Sequence, residues 1–142
     1  MTRIVVPFRG AGAKIRLSPL GERERGELAL AMLGDVTAAC VVPHDLHTLE
    51  RATPAPGLAY VPAADGTTNA LGLPEPSFFA PLYGPGSADR FRAHARGLGA
   101  VALAVALPNL ADDVDTVDDL RRVGLRAGPR TQAAIASLGL AA

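Results

Sequence analysis

Three stretches of this 142-residue chain carry residue types suited to handling phosphate. The first is Gly10-Ala11-Gly12-Ala13-Lys14-Ile15-Arg16. Its glycines, Gly10 and Gly12, let the backbone approach a phosphate, and Lys14 and Arg16 can neutralise a triphosphate and its leaving pyrophosphate. The Gly-Lys-Ser/Thr ending of a Walker loop is absent. So is the third glycine of the dinucleotide fingerprint, whose place holds Ile15 or Arg16. An ordinary surface loop would use the same residues. Composition weighs on the choice: thirteen arginines stand against a single lysine, Lys14. A chain that prefers arginine keeps lysine where a compact point charge is needed, and the place of Lys14 favours function.

The second stretch is Asp112-Asp113-Val114-Asp115-Thr116. In an extended segment residues two apart face one side, so Asp113 and Asp115 could converge on one Mg²⁺ bridging phosphate oxygens. Helix capping is the competing use, with Thr116 and Asp119 at capping-box spacing. The third is a pair, Gly66-Thr67-Thr68-Asn69-Ala70-Leu71 and Gly84-Pro85-Gly86-Ser87. Both offer hydroxyls and backbone N–H groups, and Ser87 stands at a predicted helix N-terminus, a ready anion site. Turn formation and helix capping are the commoner uses of such residues. His44 and His47 have H-x-x-H spacing, but no further ligand set completes a zinc site. Cys40 reads as a buried thiol and His94 as a solvated residue on a polar helix face.

The elements that position these residues follow from apolar patterning. Ile4-Val5-Val6-Pro7-Phe8 is continuous rather than alternating, which predicts a short strand buried on both faces. It leads through the glycine loop and Ser18-Pro19 to a helix ending near Ala39, with Leu28, Met32, Leu33 and Val36 as its apolar stripe and Glu22, Glu24 and Glu27 in the early turns. Strand, glycine loop and helix open a doubly wound α/β sheet. Further strands are predicted at Cys40-Val41-Val42-Pro43 (ending at His44-Asp45-Leu46), Leu58-Ala59-Tyr60-Val61, Ala70-Leu71-Gly72-Leu73 and residues 101–107. Asp65-Gly66 forms a turn, and residues 74–86 a loop. Ser87 is expected to cap a helix to about Arg96, and the tail from Gly124 to be a turn and a short helix. No repeat or interdomain linker is visible, so residues 1–142 read as one domain.

Composition narrows the classes further. Fourteen basic residues balance fourteen acidic ones, so no overall field draws the chain to nucleic acid or to an anionic membrane. One cysteine permits no internal disulfide, and no stretch approaches a membrane span. A soluble cytoplasmic protein is expected.

Taken in order, these motifs resemble the 2-phospho-L-lactate or phosphoenolpyruvate guanylyltransferase family, which serves synthesis of the deazaflavin coenzyme F-420. The likeness is carried by Ile4-Val5-Val6-Pro7-Phe8, Ala13-Lys14-Ile15-Arg16-Leu17-Ser18-Pro19, Ala31-Met32-Leu33-Gly34-Asp35-Val36, Gly66-Thr67-Thr68-Asn69-Ala70-Leu71, Tyr83-Gly84-Pro85-Gly86-Ser87 and Asp113-Val114-Asp115-Thr116. It implies a Rossmann-like nucleotidyltransferase fold, a glycosyltransferase-A-like three-layer α/β sandwich. By that likeness Lys14 and Arg16 hold the GTP phosphates, with Gly10 and Gly12 beside them. Asp113 and Asp115 bind Mg²⁺, and Thr68, Asn69, Gly84 and Ser87 line the pocket for a phosphorylated three-carbon acid. The implied reaction is attack by that acid's phosphate oxygen on the α-phosphorus of GTP, expelling pyrophosphate.

Members of that family are longer, and against them this chain reads as shortened in the middle, after about Cys40. His44-Asp45-Leu46 resembles the family's Asp-Leu-Pro at the end of its metal-binding strand, with His47 in place of the proline. That alignment makes Asp45 a third metal ligand; another places Val41 to Pro62 in an earlier, non-metal part of the domain. The shortening would bare a sheet edge, which predicts a homodimer or aggregation. Two other readings stand beside the enzyme. One is a degenerate relative kept for binding a phosphorylated ligand or a partner. The other is nucleic-acid binding through Gly124-Leu125-Arg126-Ala127-Gly128-Pro129-Arg130, which resembles a helix-hairpin-helix turn.

Overall fold

The computed structural model describes residue 5, residue 17 and residues 20–39, 44–112 and 114–140. They form two compact units, each with its own apolar core: one from the residues up to Ala39 and from Val114 on, the other from residues 44–112. Among the described residues no helix is long and apolar enough to cross a membrane.

The discontinuous unit is helical. Helix α1 (Glu22–Ala39) opens with Glu22 and Glu24 in its first turn, where carboxylates suit the helix dipole, and Gly21 N–H donates to Glu24 Oε2 at 2.7 Å. Leu28 is fully buried, Ala29 nearly so, and Met32 packs against the same core. Val36, expected on that stripe, is 45% exposed. The contact face runs on through Asp35, seven residues after Leu28, rather than through Val36 at the eighth.

Helices α5 (Val117–Gly124) and α6 (Pro129–Ser137) complete this unit, with Leu17, Leu20, Leu28, Val114, Leu120 and Ile135 as its core. The predicted capping box is present: Asp119 N–H donates to Thr116 Oγ1 at 3.1 Å, and Thr116 N–H to Asp119 Oδ2 at 2.9 Å. The Thr116 hydroxyl is the main influence holding the Asp119 carboxyl down to about 2, with backbone N–H groups and Arg122 adding to it against the cost of burial. A carboxyl depressed in the fold stabilises it fully above its ordinary value of 3.8 and loses that contribution as pH falls towards about 2. Thr116→Ala is therefore expected to cost about 1 kcal/mol at neutral pH and to flatten the acid limb of stability between those values. Urea titrations at pH 7 and pH 2.5 check both; an unaltered acid limb would mean that the box is not what depresses Asp119.

The continuous unit is a three-stranded mixed sheet with helices on both faces, an α/β arrangement with strand order β2-β1-β3. Central β1 (Gly57–Pro62) is buried on both sides, as its unbroken apolar run requires. Side chains alternate across a strand. Leu58 and Tyr60 accordingly meet Phe91 and Ala95 of α3 (Ser87–Gly97), while Ala59 and Val61 meet Leu49 of α2 (His44–Ala52) and Leu107. Strand β2 (Thr68–Gly72) pairs antiparallel to β1, and β3 (Val101–Ala104) pairs parallel to it.

Several expectations change here. His44-Asp45-Leu46 does not end a strand but begins α2. Strand β2 runs from Thr68 to Gly72 rather than from Ala70 to Leu73, so it takes in Thr68 and Asn69. Strand β3 ends at Ala104, because Leu107 is already the N-cap of the short helix α4 (Pro108–Ala111). Nor is β3 buried: it is an edge strand with Val101 57% and Leu103 43% exposed. Of the strand expected at residues 4–8 only Val5 is described, in no strand and 86% exposed. The strand expected at residues 40–43 lies outside the described residues.

Candidate functional site

The turn joining β1 to β2 is built on Asp65. Its Oδ1 accepts from the Thr67 backbone at 2.9 Å and from the Thr67 hydroxyl at 2.6 Å, and Gly66 takes φ 80°. Gly66 C=O then accepts from Ala88 N–H at 3.2 Å, which ties this turn to the first turn of α3. The two motifs are 18 residues apart between Gly66 and Gly84, yet one backbone bond joins them.

Within this junction two hydroxyls stand out. Thr68, at the start of β2, is 5% exposed, and Ser87, at the start of α3, is 0% exposed. Among the described residues neither Thr68 Oγ1 nor Ser87 Oγ has a hydrogen-bond partner. Ser87 is not the cap that its position predicts: Gly86, at φ 69°, occupies the N-cap, and no side chain caps the helix. A buried hydroxyl without a partner is costly, and two at one junction suit a ligand that brings acceptors or anionic oxygens. Gly84 takes φ 108°, which a side chain would strain, and its C=O accepts from Ser87 N–H at 3.0 Å.

Asn69 is aimed elsewhere by a β-bulge. Val61 pairs with Ala70 and Pro62 with Thr68, so Asn69 is the extra residue. Its amide donates to Ala111 C=O at 3.0 Å. Asp45 converges on the same short helix, since Asn109 Nδ2 donates to Asp45 Oδ2 at 3.0 Å and His44 Nδ1 lies 3.6 Å from Oδ1. Helix α4 is thus held by two of the predicted residues and leads directly into Asp112.

Asp115, in the other unit, donates its backbone N–H to Asp119 Oδ2 at 3.3 Å, within the frame of the α5 cap. Gly10, Gly12, Lys14, Arg16 and Asp113 lie outside the described residues. Among the described residues no three His, Cys, Asp or Glu side chains gather as a metal site.

The helix-hairpin-helix reading meets an obstacle at α6. In such a turn the second helix's first N–H groups would face phosphate. Here Arg130 N–H and Thr131 N–H donate to the Asp35 carboxylate at 3.2 and 2.8 Å. Burial raises the Asp35 carboxyl, but bonds from the Thr131 side chain and from these two amides outweigh it and hold the group below its ordinary value. The anion place is filled by the chain itself, and a Cβ on Gly128 would lie 2.6 Å from Asp35 Oδ2.

No protein-family profile matches the chain. Individual proteins do. A phosphoenolpyruvate guanylyltransferase of Geodermatophilus obscurus is 40% identical over 114 residues, covering 80% of this chain and 51% of that protein. One of the same name from Roseiflexus castenholzii is 40% identical over 91 residues, 61% of this chain and 43% of the relative. A 3-phospho-D-glycerate guanylyltransferase of Colwellia psychrerythraea is 31% identical over 133 residues, 85% and 63%. Over the matched lengths, the chain is similar in sequence to these guanylyltransferases. It spans about half the length of the curated relatives it matches.

Asn109 and Arg90 lie outside the predicted set, and His94 departs from its expected place. Asn109 reaches Asp45 across 64 positions, a pairing with no local signature. His94, expected to be solvated, is half-buried with Nε2 3.2 Å from Phe78 C=O. Arg90 bonds the carbonyls of the loop before α3.

Proposed function

We propose that the chain transfers a guanylyl group from GTP to a small phosphorylated three-carbon acid. Phosphoenolpyruvate is the acceptor named for two of the relatives described and 3-phospho-D-glycerate for the third; 2-phospho-L-lactate comes from the motif resemblance, as does a place in coenzyme F-420 synthesis. The observation that carries the reading is the pair of buried, unpartnered hydroxyls of Thr68 and Ser87 at the junction of the two acceptor motifs.

In this reading Thr68, Gly84 and Ser87 receive the acceptor's anionic oxygens, while Asn69, which the motif resemblance adds to that pocket, spends its amide on Ala111 C=O. Lys14 and Arg16, with the backbone at Gly10 and Gly12, neutralise the phosphates and the departing pyrophosphate. Asp113 and Asp115 are the carboxylates proposed for Mg²⁺, whose hard oxygen-ligand chemistry they match. Bound there, the ion would offset charge building on the phosphate oxygens. A phosphate oxygen of the acceptor attacks the α-phosphorus and pyrophosphate leaves, so the protein's work is positioning and charge stabilisation. The parallel pairing of β1 and β3 with α3 against both supports a Rossmann-like nucleotidyltransferase fold.

The test is pyrophosphate release from GTP and Mg²⁺ with each of the three acids in turn. Release with one or more is expected, and a folded protein that releases none refutes the reading. Lys14→Ala is expected to weaken both GTP binding and turnover; a variant that matches the parent in both removes Lys14 from the phosphate role.

A further inference from the structure

An arginine beside a phosphate-binding loop is ordinarily read as a phosphate ligand, but Arg90 is committed elsewhere. Its Nε donates to Leu82 C=O at 3.2 Å, and its Nη2 to Leu82 C=O at 2.8 Å and Tyr83 C=O at 3.1 Å. Its Nη1 donates to Pro85 C=O. All three nitrogens of the guanidinium therefore hold backbone carbonyls of one loop.

Peptide planarity converts that grip into a second consequence. In a trans peptide the C=O of one residue and the N–H of the next point in opposite directions. Drawing the Leu82, Tyr83 and Pro85 carbonyls onto Arg90 turns the N–H groups of Tyr83, Gly84 and Gly86 away from it. Among the described residues those three amides have no acceptor. Gly84 and Gly86 permit the path by taking φ 108° and 69°. Donation into the carbonyls also polarises each peptide, which strengthens its N–H as a donor. Directly after this run stands Ser87, fully buried with Oγ unpartnered.

We propose that Arg90 is a positioning residue, which holds the 82–86 loop so that the Tyr83, Gly84 and Gly86 amides form a cradle for an anionic group of the acceptor. It rests on the reading above that this loop meets the acceptor. The cation's role is to shape a neutral anion site made of backbone, and the anionic group sits on the side of the loop away from the guanidinium.

The experiment uses ¹⁵N-labelled full chain as parent, Arg90→Lys and Arg90→Ala. Backbone order parameters are measured without ligand, and phosphoenolpyruvate and inorganic phosphate are titrated separately. In the parent, the Tyr83, Gly84 and Gly86 amides are expected to shift with phosphoenolpyruvate. In Arg90→Ala their order parameters are expected to fall from about 0.85 to below about 0.6, and phosphoenolpyruvate binding to weaken about tenfold as ordering the loop becomes part of binding. Arg90→Lys, with one ammonium for three carbonyls, is expected to fall between. In turnover, KM for the acceptor rises while KM for GTP holds. An Arg90→Ala variant with parental order parameters and affinity overturns the proposal. So does a parent whose three amides respond to neither phosphoenolpyruvate nor phosphate; pyrophosphate release, assayed separately, then says whether the functional reading stands without the cradle.

Discussion

Phe91→Ala is expected to destabilise the sheet unit by about 3–5 kcal/mol, the largest structural effect predicted for any single residue here. Phe91 is fully buried on the inner face of α3, packed with Leu58, Tyr60 and Ala95. Its ring also meets Tyr83 edge-on, with centroids 5.2 Å apart and planes at 74°. Truncation removes the wedge that seats α3 on β1 and leaves a void against the fully buried Leu58. Because α3 leads into β3, the parallel pairing of β1 with β3 depends on the same contact. Urea unfolding followed by far-ultraviolet circular dichroism measures the loss. Leu103→Ala, on the open edge and 43% exposed, serves as the comparison and is expected to move stability by no more than about 0.5 kcal/mol. Equal effects from the two substitutions would mean that α3 is not seated as described.

Thr68→Val and Ser87→Ala are expected to separate stability from function. Each removes a buried hydroxyl with no partner, and such a group costs the fold about 1–3 kcal/mol. Replacing it with a methyl or a hydrogen should leave the melting temperature unchanged or raise it, a small void at Ser87→Ala offsetting part of the gain. If the hydroxyls donate to an anionic acceptor, each substitution also deletes a hydrogen bond to charge worth about 1.5–3 kcal/mol, or about 10- to 100-fold in kcat/KM for the acceptor. The Ala88–Gly66 bond ties their two segments together, so the double variant need not show the sum. Variants that melt lower yet turn over like the parent would assign both hydroxyls to structure and remove the main support for the acceptor site.

Much of the secondary structure was legible because it depends on local chemistry. Leu58 to Val61 could be read as a doubly buried strand from its unbroken apolar run, and Thr116 as a cap from its spacing to Asp119. The turn at Asp65-Gly66 followed from the side chain of one residue and the backbone freedom of the next. What escaped depended on partners distant in sequence. Asp35, part of the Ala31–Val36 motif that carries the family resemblance, caps a helix whose bonded amides lie 95 and 96 residues away. Asp45 was placed at a strand end because an apolar run precedes it, although Leu46 and Leu49 already had helical spacing. Ser87 read as a cap because serine usually is one before a polar helix; a left-handed Gly86 takes that place and leaves the hydroxyl inside. The role of Arg90 could not be read at all, since a guanidinium bonded to carbonyls leaves no trace in residue type or spacing.

The interleaving of the two units along the chain sets an order of events at the ribosome. Residues 44–112 are complete, with every strand of their sheet, before α5 and α6 have been made. Helix α1 is made before the sheet unit, yet the α6 residues whose amides bond Asp35 are made only after that unit is complete. Throughout that interval Leu20 and Leu28 lack Leu120 and Ile135, the core neighbours that later shield them from water. The sheet unit can close while synthesis proceeds; the helical unit, whose α1 and α6 lie on either side of it in sequence, must wait until α6 has been made.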